Sequence, residues 1–343
     1  MKDHVSLVLL EKRLSKILLI RVGRVGDMVM VTPAVQALLD HYPQAEFHLL
    51  TSRDGQRVFR DFAPRLQTLL YDRHSFLAGI KRYTLLRQVR SASYDIACCF
   101  ELNPSFAAFT HAATRGFTIS NEAGGERYAQ LCLDLAWRII SLTSNQAPDK
   151  DYRISLPVTD DARERARALY AAAGITPDTF VVGLHPTYSG LQRAWRRPEI
   201  DAGRRWPQES FAELARALRK ESAARGIDLR VVMDLLPEEA AFGEQIVRLS
   251  DGAITLLTPT PDFARYKAML ERMNLLVTTD TGAMHVAGAV GTRLVALFGV
   301  TNPASSGAYV APGQCIELHA ASRRMADITP NEVLTACRHF LPA

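Results

Sequence analysis

The chain has no apolar run near the ~18–20 residues that a membrane-spanning helix requires. Stretches such as Val5 to Leu10 have the length of a buried strand. Met1 to His4, followed by six apolar or small residues, is too short for a secretory signal, and no cleavage-type site follows. Cysteine is scarce, five in 343 residues, with no C-x-x-C pair and with Cys98 adjacent to Cys99, where a bridge would be strained. Such an odd, scattered set reads as buried thiols in a reducing cytoplasm and excludes a disulfide or zinc framework. Aromatic residues make up only 8%, and the basic residues are not interleaved with them in any RNP-like order, so no nucleic-acid partner is expected. What is present is ordinary for a globular chain with sizeable cores: 48% hydrophobic and 22% charged residues. At roughly 150 residues per domain, the length predicts two domains.

The net charge of +5 is unevenly placed. Residues 1–150 hold 19 Lys and Arg against 14 Asp and Glu; the remainder holds 22 of each, so the whole excess belongs to the first half. A basic half points to an anionic partner, such as a phosphorylated substrate or a membrane surface; uneven sampling of solvated arginines gives the same sum.

Short apolar runs alternate with helical patterns. Lys16 to Val22, Glu46 to Thr51 and Tyr94 to Phe100 read as strands, with helices over Val29 to Leu39 and Phe76 to Ala92. Residues 144–160 have linker composition. A helix follows from Asp161 to Ala173, and further strands are expected at Phe180 to Leu184, Leu229 to Met233, Ile254 to Leu257, Leu275 to Thr279 and Leu294 to Phe298. Pro207 opens a helix with Phe211, Leu214, Ala215 and Leu218 on one face. This alternation predicts an α/β chain of two Rossmann-like, doubly wound parallel-sheet domains, about 1–158 and 159–343, facing a central cleft. A last helix near 329–341 is expected to pack back on the first domain.

The turn Gly23-Arg24-Val25-Gly26-Asp27 follows the first strand and opens a helix, where backbone amides can meet an anion. It is not a dinucleotide fingerprint: Arg21 stands where G-x-G-x-x-G needs its first glycine. Thr51 and Ser52, rather than an acid, end the second strand. Asp27 can either cap the helix or, ionised at the sheet's carboxyl edge, accept a proton from a substrate hydroxyl. In the second half, Thr187 and Ser189 offer hydroxyls beyond a strand, and the loop after them carries Arg193, Arg196, Arg197, Arg204 and Arg205. Guanidinium forks suit phosphate oxygens, although Glu199 and Asp201 in the same segment also fit a solvated loop. Thr281 can cap a helix beginning near Gly282, whose free N–H groups would cradle a phosphate, with His285 one turn in.

ILLIRVGRVGD (17–27) with Thr32-Pro33-Ala34, GLHP (183–186), RRWP (204–207), DTGAMH (280–285) and LFGVTNP (297–303) occur in order and spacing. Together they resemble glycosyltransferase family 9, the lipopolysaccharide heptosyltransferases, from about residue 16 to 310. The resemblance implies a GT-B fold, with acceptor bound mainly by the first domain and sugar nucleotide by the second. It implies inverting transfer of heptose from ADP-L-glycero-D-manno-heptose to a lipopolysaccharide core or related anionic, lipid-linked glycan, with no cofactor and no metal. On that pattern Asp27 is the general base and Arg204, at a position usually lysine, holds the donor phosphates. Thr187, Thr281, Gly282 and His285 line the diphosphate, Asp280 contacts the donor sugar, Glu238 or Glu239 the ribose, and Ser189 and Arg205 are further donor contacts. Arg24, Gly26, Arg53 and Arg57 are the expected acceptor contacts. The basic first half then suits an anionic acceptor and peripheral contact with the cytoplasmic face of an inner membrane. Alternatives of similar architecture are a transferase using another nucleotide sugar, a sugar-nucleotide 2-epimerase, or a non-catalytic scaffold. An epimerase would need acid/base groups on both faces of the sugar ring.

Overall fold

The computed structural model describes residues 14–71, 78–122, 124, 126–144, 150–188 and 198–342. Val5 to Leu10, and Ser189 with Arg193, Arg196 and Arg197, lie outside the described residues. The chain divides into two compact units, Met1–Leu156 and Pro157–Ala343.

The first unit runs β1 (Lys16–Ile20), α1 (Val25–Met30), α2 (Thr32–His41), β2 (Glu46–Thr51), α3 (Arg53–Phe59), β3 (Leu66–Leu70), α4 (Ala78–Ser91), β4 (Ile96–Cys99), α5 (Pro104–Ala113), β5 (Phe117–Ser120) and α6 (Tyr128–Ser144). Its sheet has the order β3-β2-β1-β4-β5, parallel throughout. Because helices cover both faces, β1 is apolar at every position from Ile17 to Ile20, all fully buried. Leu18 and Ile20 pack with Val89, Phe106 and Phe109. The helix expected over Val29 to Leu39 is instead two helices broken at Val31. Pro33 has no N–H to continue the ladder, and its ring crowds the carbonyl of Val29. The Thr32 hydroxyl takes up that carbonyl (2.8 Å).

In the second unit α7 (Asp160–Ala172) precedes β6 (Phe180–His185), α8 (Pro198–Ala202), α9 (Gln208–Arg225), β7 (Leu229–Asp234), a 3-10 turn at Pro237–Glu239, α10 (Ala240–Leu249) and β8 (Ile254–Leu257). There follow α11 (Phe263–Arg272), β9 (Leu275–Thr279), α12 (Gly282–Ala289), β10 (Arg293–Phe298), α13 (Pro303–Ser306), β11 (Cys315–His319) and α14 (Pro330–Arg338). The sheet order is β11-β10-β9-β6-β7-β8, again parallel. Phe211, Leu214, Ala215 and Leu218 of α9 enter one core with Val182, Val231 and Val277. The closing helix, α14, packs on α9 and β10. Its Val333, Leu334, Ala336 and Cys337 complete the second unit's own core, because a four-residue apolar stripe this dense needs a continuous partner face.

Candidate active site

In a doubly wound sheet ligands bind beyond the carboxyl ends of the strands where the order reverses. The first unit reverses between β1 and β4, and the second between β6 and β9. The residues following these four strands therefore define two edges, one in each unit.

At the first edge Asp27 sits in the opening turn of α1. Its Oδ2 accepts from the Arg24 backbone N–H (2.9 Å), so it does cap the helix. Its Oδ1 is held by Arg21 Nη2 at 3.0 Å, and the side chain stays 38% exposed. One oxygen caps while the other pairs with a cation, which leaves a carboxylate that is fixed yet reachable. Gly23 makes this possible: a Cβ there would lie 2.5 Å from Asp27 Cβ and 2.8 Å from its Oδ2, so any other residue would push the carboxylate away.

Arg21 and Glu101 are the functional candidates that the sequence reading missed. Arg21, its side chain 11% exposed, also gives Nη1 to Glu101 Oε2 at 2.9 Å, and the Glu101 side chain is only 7% exposed. Glu101 Oε1 accepts the Val22 N–H (2.6 Å). The Arg21 guanidinium lies 4.6 Å from the Tyr128 ring centre, and the Tyr128 hydroxyl donates to the Phe100 carbonyl (2.5 Å). Nearby anions hold the Arg21 guanidinium above its usual range despite burial, which opposes them. Of the expected acceptor contacts, Gly26 is in α1, Arg24 caps it, and Arg53 opens α3 directly beyond β2, beside β1. Arg57 is further along α3, 3.7 Å from Asp54.

The second edge gathers the expected donor residues. Thr187 is buried beyond β6. Asp280 follows β9, and Thr281 and Gly282 open α12. Thr281 occupies the N-cap position but makes no cap bond with its side chain, contrary to the sequence expectation. Its Oγ1 lies 3.3 Å from Thr278 Oγ1 instead, so the amides at the helix start are left for an anion. His285 is buried one turn in. Arg204 reaches this edge because two glycines let backbones touch: a Cβ on Gly299 would lie 2.3 Å from the Gly203 carbonyl oxygen, and Val300 N donates to that carbonyl (3.0 Å). Arg204 Nη2 then donates to the Asp280 carbonyl (3.2 Å), and its guanidinium lies 5.4 Å from the Tyr188 ring centre. Arg205 differs from its neighbour. Its Nη2 is paired with buried Asp201 (2.7 Å), whose other oxygen accepts the Tyr188 hydroxyl (2.7 Å). Glu238 is exposed in the 3-10 turn after β7, while Glu239 accepts from Leu236 N (3.2 Å).

Two further groups end strands of this sheet. Burial pushes His185 down to about 4, so its imidazole is neutral at neutral pH. Burial pushes Asp234 up to about 7, against the opposing pull of Arg265. At Asp234 the folded state thus holds a proton that the unfolded chain has lost between about pH 4 and 7. Asp234 contributes its full stability below that window and loses it as pH rises through 7, by about 1.4 kcal/mol per pH unit. Asp234→Asn is expected to melt higher than the parent protein at pH 8, with the advantage shrinking toward pH 5; melting curves at the two pH values check this.

A D-x-D spacing occurs once, Asp149-Lys150-Asp151, in the linker. There Lys150 pairs with Asp40 (2.9 Å) and Asp151 with Arg153 (2.9 Å). Among the described residues no group of three or more His, Cys, Asp or Glu could hold a metal ion, and no helix is long and apolar enough to cross a membrane.

Residues 82–331 match the profile of glycosyltransferase family 9 (heptosyltransferase). The chain belongs to this family. Lipopolysaccharide heptosyltransferase 1 of Pseudomonas aeruginosa is 28% identical over 209 residues, 53% of this chain and 56% of that one. Lipopolysaccharide heptosyltransferase 3 of Escherichia coli is 20% identical over 81% of both chains. Among solved structures, a family 9 glycosyltransferase of Veillonella parvula superposes with a TM-score of 0.79 at 18% identity, covering 96% of this chain and 98% of the other. The Escherichia coli ADP-heptose lipopolysaccharide heptosyltransferase II gives 0.70 at 20% identity, covering 95% and 98%. The two parallel-sheet units of this family 9 chain are those of the GT-B fold.

Proposed function

We propose that this family 9 protein is an inverting, metal-independent transferase. It moves heptose from ADP-L-glycero-D-manno-heptose to a hydroxyl of a lipopolysaccharide core or related anionic, lipid-linked glycan. The observation that carries the reading is Asp27, a carboxylate fixed by Arg21 and the α1 amide yet still exposed at the first unit's switch point. Asp27 takes the acceptor hydroxyl proton as the oxygen bonds the anomeric carbon from the face opposite the diphosphate. The anomeric carbon–oxygen bond to the diphosphate breaks, and ADP leaves with its electron pair. One base and one displacement invert the anomeric centre; no covalent sugar intermediate is needed.

Negative charge grows on the departing diphosphate as an oxocarbenium-like state develops. Arg204 and the α12 amides supply preorganised donors for that charge, with Thr187, Ser189, Thr281 and His285 lining the diphosphate and Asp280 at the sugar. Glu238 takes the ribose, and Arg24, Arg53 and Arg57 face the anionic acceptor. The enzyme works in the cytoplasm, held peripherally at the inner membrane by its basic first half.

Calorimetric titration with ADP, UDP and GDP, with and without EDTA, tests the donor assignment. ADP is expected to bind at least about tenfold more tightly than UDP or GDP, unaffected by EDTA. A preference for UDP or GDP would replace the donor while keeping the fold, and EDTA-sensitive binding would overturn metal independence.

A further inference from the structure

Proton transfer to Asp27 changes the charge beside a buried cation. At rest Arg21 is shared by two carboxylates, Asp27 at 3.0 Å and Glu101 at 2.9 Å. Once Asp27 carries the acceptor's proton it no longer neutralises Arg21. A buried guanidinium left with no anion would oppose that step, since an unpaired buried charge costs far more than a paired one. Glu101 is more deeply buried than Asp27, takes no proton in the reaction, and stays on Arg21 throughout. It is itself anchored, through Oε1, to the Val22 N–H at the end of β1, so Arg21 is held between a fixed anion and the exposed carboxylate.

We propose that Arg21 and Glu101 are positioning residues for the reaction: Arg21 aims the Asp27 carboxylate, and Glu101 keeps Arg21 neutralised when Asp27 becomes an acid. This rests on the reading of Asp27 as the general base. Among the described residues the other ionisable groups around Arg21 are Tyr128 and Cys132 of α6, both protonated, as burial raises each above its ordinary range. Cys99 of β4, beside Arg21 and Glu101, is also raised by burial. The elements packed on α1 are α2 and α3; they carry Asp40 and His41, and Arg53, Asp54 and Arg57. Asp40 is engaged by Lys150 and Tyr152, and Asp54 pairs with Arg57. The fixed anion on the Arg21 fork is therefore Glu101.

The two partners have opposite signs, and this gives a test that a merely structural role does not pass. Glu101→Gln leaves Arg21 with Asp27 alone, so Asp27 gives up its proton more readily and is a weaker base. Its kcat is expected to fall about 10–100-fold, with the acid limb of the kcat–pH profile moved to lower pH. Arg21→Gln removes the cation and is expected to cost a similar factor, with the acid limb moved to higher pH. Binding of ADP, held by the other unit, should stay within about twofold in both.

Arg21→Lys keeps the charge but not the planar fork that meets both carboxylates. It repeats the test where Arg21→Gln does not fold: kcat about threefold or more below the parent, and the acid limb raised. Glu101→Asp, which keeps the charge with a shorter reach, is expected to recover part of the loss seen in Glu101→Gln, with its limb nearer the parent's. Where Glu101→Gln does not fold, Glu101→Asp carries the same test, with a smaller shift to lower pH. Limbs that coincide with the parent's, or that move in the same direction for the Glu101 and Arg21 variants, overturn the proposal. If Asp27→Ala is inactive while that happens, only this inference falls. If Asp27→Ala itself retains full turnover, the base assignment falls first.

Discussion

Asp27→Ala is expected to lower kcat about 10³-fold, the central range for removal of a positioned general base, while ADP binding changes less than about twofold. The split follows from placement. Asp27 stands at the edge of the first unit's sheet, and the proposed donor-binding groups are all in the second. The substitution also frees the Arg24 N–H at the start of α1, at a cost to stability of about 1 kcal/mol. The variant should therefore melt slightly lower but remain folded, which thermal unfolding read alongside turnover confirms. Turnover near the parent's value would remove Asp27 from the role of base.

The second large effect is expected at Arg204. On the proposed role, Arg204→Ala removes a cation whose diphosphate partner gains negative charge as it departs, so kcat should fall about 10²–10³-fold. ADP presents the same diphosphate to Arg204, and its affinity should weaken about tenfold. Arg204→Lys, which restores a point charge without the fork, should recover most of the ADP binding and part of kcat. Stopped assays with isolated ADP titrations separate the two. If both affinity and turnover survive Arg204→Ala, Arg205 or an arginine of 190–197 holds the diphosphate. Arg205 starts from a weaker position, because Asp201 already takes its Nη2.

Sequence patterning revealed the central strands most clearly. β1, β6, β9 and β10 are buried on both faces and read as unbroken apolar runs. The three strands it missed, β3, β5 and β11, lie at sheet edges and are partly exposed. LQTLL and FTIS carry neither a long run nor a clean alternation, and edge pairing rather than composition makes them strands. The break at Val31 was missed, although Pro33 in the first turn of α2 signals it, since proline ends one helix as readily as it opens another.

The site divides in the same way. Asp27, Arg204 and the 280–285 segment sit in local motifs whose spacing is visible in one dimension. Arg21 and Glu101 do not. Arg21 looks like a residue that spoils a glycine fingerprint, and Glu101 like a polar residue ending a strand. Only the pairing of β1 with β4, Ile20 beside Cys99, brings the two side chains together. Asp234 lies just past the strand expected at Leu229 to Met233, and its burial at the end of β7 has no sequence signature.

The Arg21–Glu101 pair has a consequence for how the protein is assembled. The two residues are 80 positions apart, and the chain between them contains the four helices α1 to α4 and the strands β2, β3 and β4. Closing a loop of that length precedes any return from the contact it makes, so such pairings form late and slowly. Until β4 docks beside β1, Arg21 remains hydrated and nothing aims the carboxylate at the start of α1. In refolding experiments catalytic competence should therefore emerge with the last phase that orders the sheet, after most helical signal has returned.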